Sequence, residues 1–272
     1  MERNIKTTDT GNNILMTATY IGGPTVLLNI GGFRIMTDPT LDPEGTSFIL
    51  NEKMKESKLS GPAIIPGKPV DIVLLSHDQH FDNLDNMGRE YLKEVKATLT
   101  TKKGAERLKG NSIGLDPKEY IAYSSPAGDE IRITATSARH GPAGIEKLAG
   151  DVIGFHIAVS GKNNFELYIT GDTVFYNEIE NLGKTINPAY IFAFAGAARP
   201  RGPFNLTMGT NDVLDTAHVF PKSIIIPLHS EGWSHYTENN ANLEEAFDIL
   251  GIRERLQILK PGVETMLSLH SN

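Results

Sequence analysis

The chain contains no cysteine, which excludes disulfides, thiolate metal sites and a thiol nucleophile together. Any metal must therefore be held by His, Asp and Glu. Long apolar runs are also missing: nothing approaches the ~20 residues that span a bilayer. The opening stretch, residues 1–13, is polar and lacks the apolar core of a signal peptide. The expectation is a cytoplasmic protein without a membrane partner. Positive charge is in deficit, with 26 Lys and Arg against 33 Asp and Glu, a net charge of -7. That balance offers no broad grip on nucleic acid. Bound divalent cations would offset several charges locally, so a small anionic substrate stays admissible.

What is present is an ordinary globular composition, 39% hydrophobic and 22% charged over 272 residues, enough for a large core. No internal repeat or linker divides the sequence, so it reads as one domain over 1–272, with 1–13 as a flexible N-terminal segment. Ile14 to Ile21, Thr25 to Ile30 and Phe33 to Thr37 are β-rich runs separated by Gly22-Gly23-Pro24 and Gly31-Gly32, which predicts a meander of hairpins. The proline-bracketed region 40–69 predicts a loop excursion, either a lid or a surface insertion, in which Asn51 to Ser60 could hold a short helix. Helical spacing of Met87, Tyr91, Leu92 and Val95, then Ala97 to Thr100, suggests a helix followed by a strand. A short helix over Thr101 to Leu108 comes next. Further strands are expected at Glu130 to Ala138, Val152 to Val159, Phe165 to Thr170, Tyr190 to Phe194 and Ser223 to Leu228. Thr210 or Asn211 is the expected cap of a helix reaching Val219, and Leu243 to Leu250 forms a last helix before a short terminal strand.

Chemistry concentrates at strand ends. Ile72 to Leu75 is a continuous apolar run, the mark of a strand buried on both faces, and His77, Asp78, His80, Asp82, Asn83 and Asp85 follow directly. Imidazoles and carboxylates at this density repel or stay unsatisfied unless a cation sits among them, and a divalent metal is the economical solution. Three more strands end the same way: Ala138 runs into His140, Thr170 into Asp172, and Leu228 into His229. Ligands at the carboxyl ends of strands converge on one edge, where α/β proteins place their sites. Arg199 and Arg201, in a Gly/Pro loop, are candidates for an anionic substrate group. His235 is a candidate leaving-group acid or substrate contact. His156 and His218 read as structural.

Ser-His-Asp-Gln-His-Phe-Asp-Asn at 76–83, His140, Tyr-Ile-Thr-Gly-Asp-Thr at 168–173 and Ile-Pro-Leu-His at 226–229 resemble the metallo-β-lactamase superfamily. Thr37-Asp38-Pro39 and Leu206-Thr-Met208 look most like its metal-dependent hydrolase branch, which includes ascorbate-6-phosphate lactonase. The resemblance implies an α/β (α+β) fold, a four-layer αββα sandwich. It implies one or two Zn or Mn ions at the sheet edge: His77, His80 and His140 on one, Asp82, Asp172 and His229 on the other, with Asp172 bridging. The family pattern His-x-His-x-Asp-His is not matched cleanly, because one residue is inserted before His80 and Asn83 stands where the last His is expected. Whether Asn83 or Asp78 is a ligand stays open. The implied activity is hydrolysis of a small ester, lactone or phosphoester by metal-activated water, with Asp82 or Asp172 orienting that water. A phosphodiesterase or nuclease, or a non-catalytic metal-binding module, are the alternatives. The expected partner is a small-molecule substrate, and a homo-oligomer is compatible.

Overall fold

The structure is a computed structural model that describes residues 16–51 and 54–269. The flexible segment expected over 1–13, and the start of the first strand at Ile14, lie outside those residues.

The meander forms as the glycine turns require. β1 (Met16–Gly22), β2 (Thr25–Ile30) and β3 (Phe33–Thr37) pair antiparallel in sequence order. Gly31 and Gly32 turn the second hairpin at φ 56° and 86°, values that side chains rarely adopt. From β3 the first sheet grows by parallel addition of β6 (Ile72–Leu74), β7 (Ala97–Thr101) and β8 (Ser112–Leu115). Helices α1 (Asn86–Tyr91) and α2 (Lys102–Leu108) lie between these strands, and each is N-capped by the residue before it, Asp85 and Thr101. The terminal strand β15 (Glu264–Met266) closes the opposite edge against β1.

The second sheet is antiparallel through β9 (Tyr120–Ser124), β10 (Glu130–Ser137), β11 (Ile153–Ser160) and β12 (Phe165–Ile169). It then turns parallel through β13 (Tyr190–Phe194) and β14 (Ile224–Leu228). A short α3 (Glu146–Ala149) precedes β11, α4 (Asn177–Leu182) and α5 (Thr210–Val219) cross between the parallel strands, and α6 (Asn240–Ile249) follows β14. Leu28, Ile35, Phe155, Leu167 and Phe192 belong to one cluster drawn from both sheets. Ile179, Val213, Ala217, Leu243 and Phe247 pack α4, α5 and α6 onto the outer face of the second sheet. Tyr91, Leu92 and Val95 pack α1 and the turn after it onto the first. The layers are thus helix, sheet, sheet, helix. Burying one side chain of this size is worth about 1.5–3 kcal/mol, so the three apolar layers carry the stability and leave the loops free to carry chemistry. No helix among the described residues is long and apolar enough to cross a membrane.

Two local expectations are corrected. Among the described residues from Asn51 to Ser60 there is no helix: β4 (Ser47–Asn51) and β5 (Met54–Ser57) form a hairpin with Phe48 opposite Glu56. A period of two prevails because Phe48 and Glu56 turn inward together, Phe48 stacking on Phe81 and Trp233. The cap of α5 is Gly209, neither Thr210 nor Asn211. The Gly209 N–H donates to Asp212, and Glu238 accepts from both the N–H and the hydroxyl of Thr210. Asp212, in the first turn of the helix, and the distant Glu238 satisfy this helix end, so the cap position itself needs no side chain.

Candidate metal centre

Four strands deliver their ends to one edge. β6 is wholly buried between β3 and β7, and the chain leaves it through Leu75, whose N–H reaches Leu99 O, into Ser76 and His77. The Ser76 carbonyl accepts from Ile153 N of β11 at 3.1 Å, which ties the two sheets together beside the site. β10 runs into His140, β12 into Gly171 and Asp172, and β14 into His229. Gly171 adopts φ 62°, and a Cβ there would lie 2.6 Å from Ile153 O and 3.0 Å from the Ser76 Cβ. Only glycine lets the chain turn tightly enough to aim Asp172 inward. His229 sits at φ 55°, its N–H held by Gly23 O at 2.7 Å.

The protons on the rings follow from their outer partners. Asp38 ends β3 and is buried, and its Oδ1 accepts from both the N–H (2.9 Å) and the hydroxyl (2.6 Å) of Ser76. The hydroxyl proton is therefore committed, and Ser76 Oγ accepts from His77 Nδ1 at 2.9 Å. Leu206 O, which can only accept, takes the proton of His140 Nδ1 at 2.8 Å. Both rings thus present bare Nε2 lone pairs to the same point. There they meet His80 Nδ1, 3.0 Å from each, and Asp172 Oδ2 at 3.7 and 3.6 Å. One His80 proton cannot satisfy two lone pairs. Burial, with His140 adding to it, holds His80 down to about 4, and burial takes His77 well below the usual imidazole range. Neutral rings are the form a metal binds.

A second group adjoins the first. His229 Nε2 lies 3.2 Å from Asp172 Oδ1 and 3.3 Å from Asp82 Oδ2, yet neither contact has hydrogen-bond geometry. Burial works against a charge on His229, but Asp172 and Asp82 outweigh it and push the ring up to about 10. Two buried carboxylates are here demanding a positive charge, which a divalent cation supplies better than a proton. Tyr236 OH orients the ring from its Nδ1 side at 2.5 Å. Asp172 faces the three-histidine group with Oδ2 and the His229 group with Oδ1. Within each group the ligand atoms lie within 4.8 Å of one another. On their nitrogen and oxygen donors and their unsatisfied buried atoms, both groups fit a divalent metal.

The remaining expected residues divide. Asp78 turns away, its Oδ2 accepting from Arg107 Nε at 2.9 Å. The Asn83 amide donates to Asp172 Oδ1 at 3.2 Å, while its Oδ1 has no partner. His235 Nε2 meets Asp82 Oδ2 at 2.8 Å and stands outside both ligand groups. Arg201 reaches the site, 3.5 Å from His80 Nε2, whereas the Arg199 guanidinium is bound to Asn205 at 2.6 Å. His156, on β11, lies beside Glu166 on the far face. Three residues with no assigned role in the sequence reading stand at the site: Ser76, Tyr236 and Glu56. Burial, with Asp82 beside it, pushes the Glu56 carboxyl up to about 7. No local motif marks it, since its neighbours in sequence belong to an isolated hairpin.

Comparison with known proteins decides the family. The model of the beta-lactamase superfamily domain matches residues 33–230, a span that takes in every ligand-group residue. The chain belongs to the metallo-β-lactamase superfamily, in its metal-dependent hydrolase branch. Among relatives of this superfamily, YddR of Bacillus subtilis is 24% identical over 91% of this chain and 98% of its own length. A metal-dependent hydrolase of Pelotomaculum thermopropionicum is 26% identical over the same shares of the two chains. An isothiocyanate hydrolase from Delia radicum gut bacteria superposes with a TM-score of 0.77, covering 93% of this chain and 99% of its own, at 21% identity. This chain therefore spans nearly the full length of these relatives, with the candidate ligand groups at the sheet edge.

Proposed function

We propose that the protein is a two-metal hydrolase of small ester, lactone or phosphoester substrates. His77, His80 and His140 would hold one ion, Asp82 and His229 the other, and Asp172 would touch both. The observation that carries this is the split of Asp172, one oxygen toward each group. Bound ions would lower the pKa of a water toward ~7 and polarise the scissile group. The chain's own residues supply the rest. Asp82, held by His235, would orient the water and accept its proton. Arg201 offers the cationic wall for an oxygen that gains charge. Asn83 steadies Asp172, and three imidazoles on one side against two carboxylates on the other favour Zn on the first group and admit Mn on the second.

Elemental analysis of protein purified without chelator tests this, beside His80→Ala and His229→Ala. Near two equivalents in the wild type, reduced in both variants, supports the assignment. Zn or Mn that never binds refutes it. A screen of phosphodiesters, lactones, esters and isothiocyanates, each with Asp82→Ala as the inactive control, then tests the reaction. Turnover that persists in that variant would place the chemistry elsewhere.

A further inference from the structure

The β4–β5 hairpin, over part of which a short helix was admissible, turns one carboxylate toward the site. Register on β5 turns Glu56 inward opposite Phe48, and the residue is 5% exposed. Its Oε2 is buried without a hydrogen-bond partner. It walls a cavity of about 10 Å³ whose other polar walls are His80, Asp82, His140, Asp172 and Arg201. Among the described residues it belongs to neither ligand group, so it faces the reacting centre from across the cavity.

The cationic groups that face Glu56, His235, Arg201 and His229, act on it through space, and none is hydrogen-bonded to its Oε2. Lys58, two residues along the chain, donates to Asp85 and Thr40 O, and Arg201 is directed at His80 Nε2. Asp82, its neighbour across the cavity, is a carboxylate too. A buried carboxylate oxygen without a hydrogen-bond partner is costly, and the cavity has room for about one water. An incoming group displaces such a water favourably when it reproduces the hydrogen bonds that the water made. An ammonium or N–H does this toward Glu56, whereas an alkyl group or a carbonyl does not.

Resting on the metal-dependent reading above, we propose that Glu56 is a substrate-recognition residue, selecting substrates that carry an ammonium or N–H donor next to the scissile bond. Amino-substituted acyl compounds are the class it fits. Full-length zinc-loaded protein is titrated calorimetrically with acetohydroxamate and with glycine hydroxamate, two metal-binding probes that differ by one amino group. A charge-assisted hydrogen bond predicts that the wild type binds the amino probe about 10- to 100-fold more tightly. In Glu56→Gln the two affinities converge while the metal content stays at the wild-type value, and Glu56→Asp retains part of the preference. Equal affinities in the wild type, or a preference that survives in Glu56→Gln, overturn the proposal. Loss of zinc in Glu56→Gln overturns it as well, because Glu56 would then be a ligand. Wild type that takes up no zinc fails at the first step, which separates collapse of the hydrolase reading from failure of this one alone.

Discussion

Removing the Ser76 hydroxyl isolates what the outer residues contribute to metal affinity. Ser76 Oγ donates to Asp38 Oδ1 at 2.6 Å and accepts from His77 Nδ1 at 2.9 Å, and neither His77 nor Asp38 has any solvent exposure. In Ser76→Ala the Ser76 backbone N–H still reaches Asp38, so Asp38 keeps one donor and the fold survives. His77 Nδ1–H loses its only acceptor, and a buried unsatisfied donor costs about 1–3 kcal/mol. Loss of an outer hydrogen bond to a ligating histidine typically lowers metal affinity 10–100-fold, about 1.4–2.7 kcal/mol. Two independent routes thus arrive at one range. The assay is competition for Zn²⁺ against a chromophoric chelator. Ser223→Ala serves as control, since it deletes a buried hydroxyl bonded to Pro188 O far from the site. Unchanged affinity in Ser76→Ala would refute the tautomer argument, and equal losses in both variants would show a general effect of destabilisation.

Metal-free protein should lose stability as pH rises from about 6.5 to 10. His229 is held up to about 10 against an ordinary 6.5, so its contribution is complete below 6.5 and fades through 10, at about 1.4 kcal/mol per pH unit. Urea midpoints across that window measure it; a flat curve, or one that His229→Gln leaves equally steep, contradicts the assignment. Lys58→Ala leaves Asp85 buried without its cation, although Asp42 N and Gly88 N still reach it. The expected cost is about 3 kcal/mol, and a loss under about 1 kcal/mol, the worth of a surface pair, would deny Lys58 its place as anchor of the β4–β5 hairpin. Gly171→Ala forces a Cβ against Ile153 O, with an expected strain of about 1–3 kcal/mol and a fall in bound metal. Full metal content in that variant would show that the turn tolerates a side chain.

Sequence made the strands that lead into the candidate site legible because their signals are local. An apolar run followed at once by a polar ring announces a buried strand with an end that needs a partner, as Ile72 to His77 and Ile224 to His229 both do. The meander was equally plain from its glycines. The hairpin at 47–57 was not, because its inward residues, Phe48 and Glu56, are chosen by Phe81, Trp233 and the cavity, all remote in sequence. Gly209 as a cap, Asp78 on Arg107 and His235 on Asp82 belong with it: each role is set by a partner that periodicity does not reveal. β8 and β9 stayed hidden because they are half-exposed and lack the continuous buried run of β6 and β13, and α3, at four residues, is too short to show a helical period.

The two ligand groups draw on both sheets. His77, His80 and Asp82 leave the first, whereas His140, Asp172 and His229 leave the second. An ion held there would be a cross-link between halves made at different times, since β1 to β8, with the β4–β5 hairpin, are complete before β9 begins. During synthesis the three early residues wait on a half-built surface, and His229 arrives about 150 residues after them. β15 then returns to pair with β1, closing the edge of the first sheet after the second is built. Capture of metal by both groups would thus be a late event, one that needs both sheets in place.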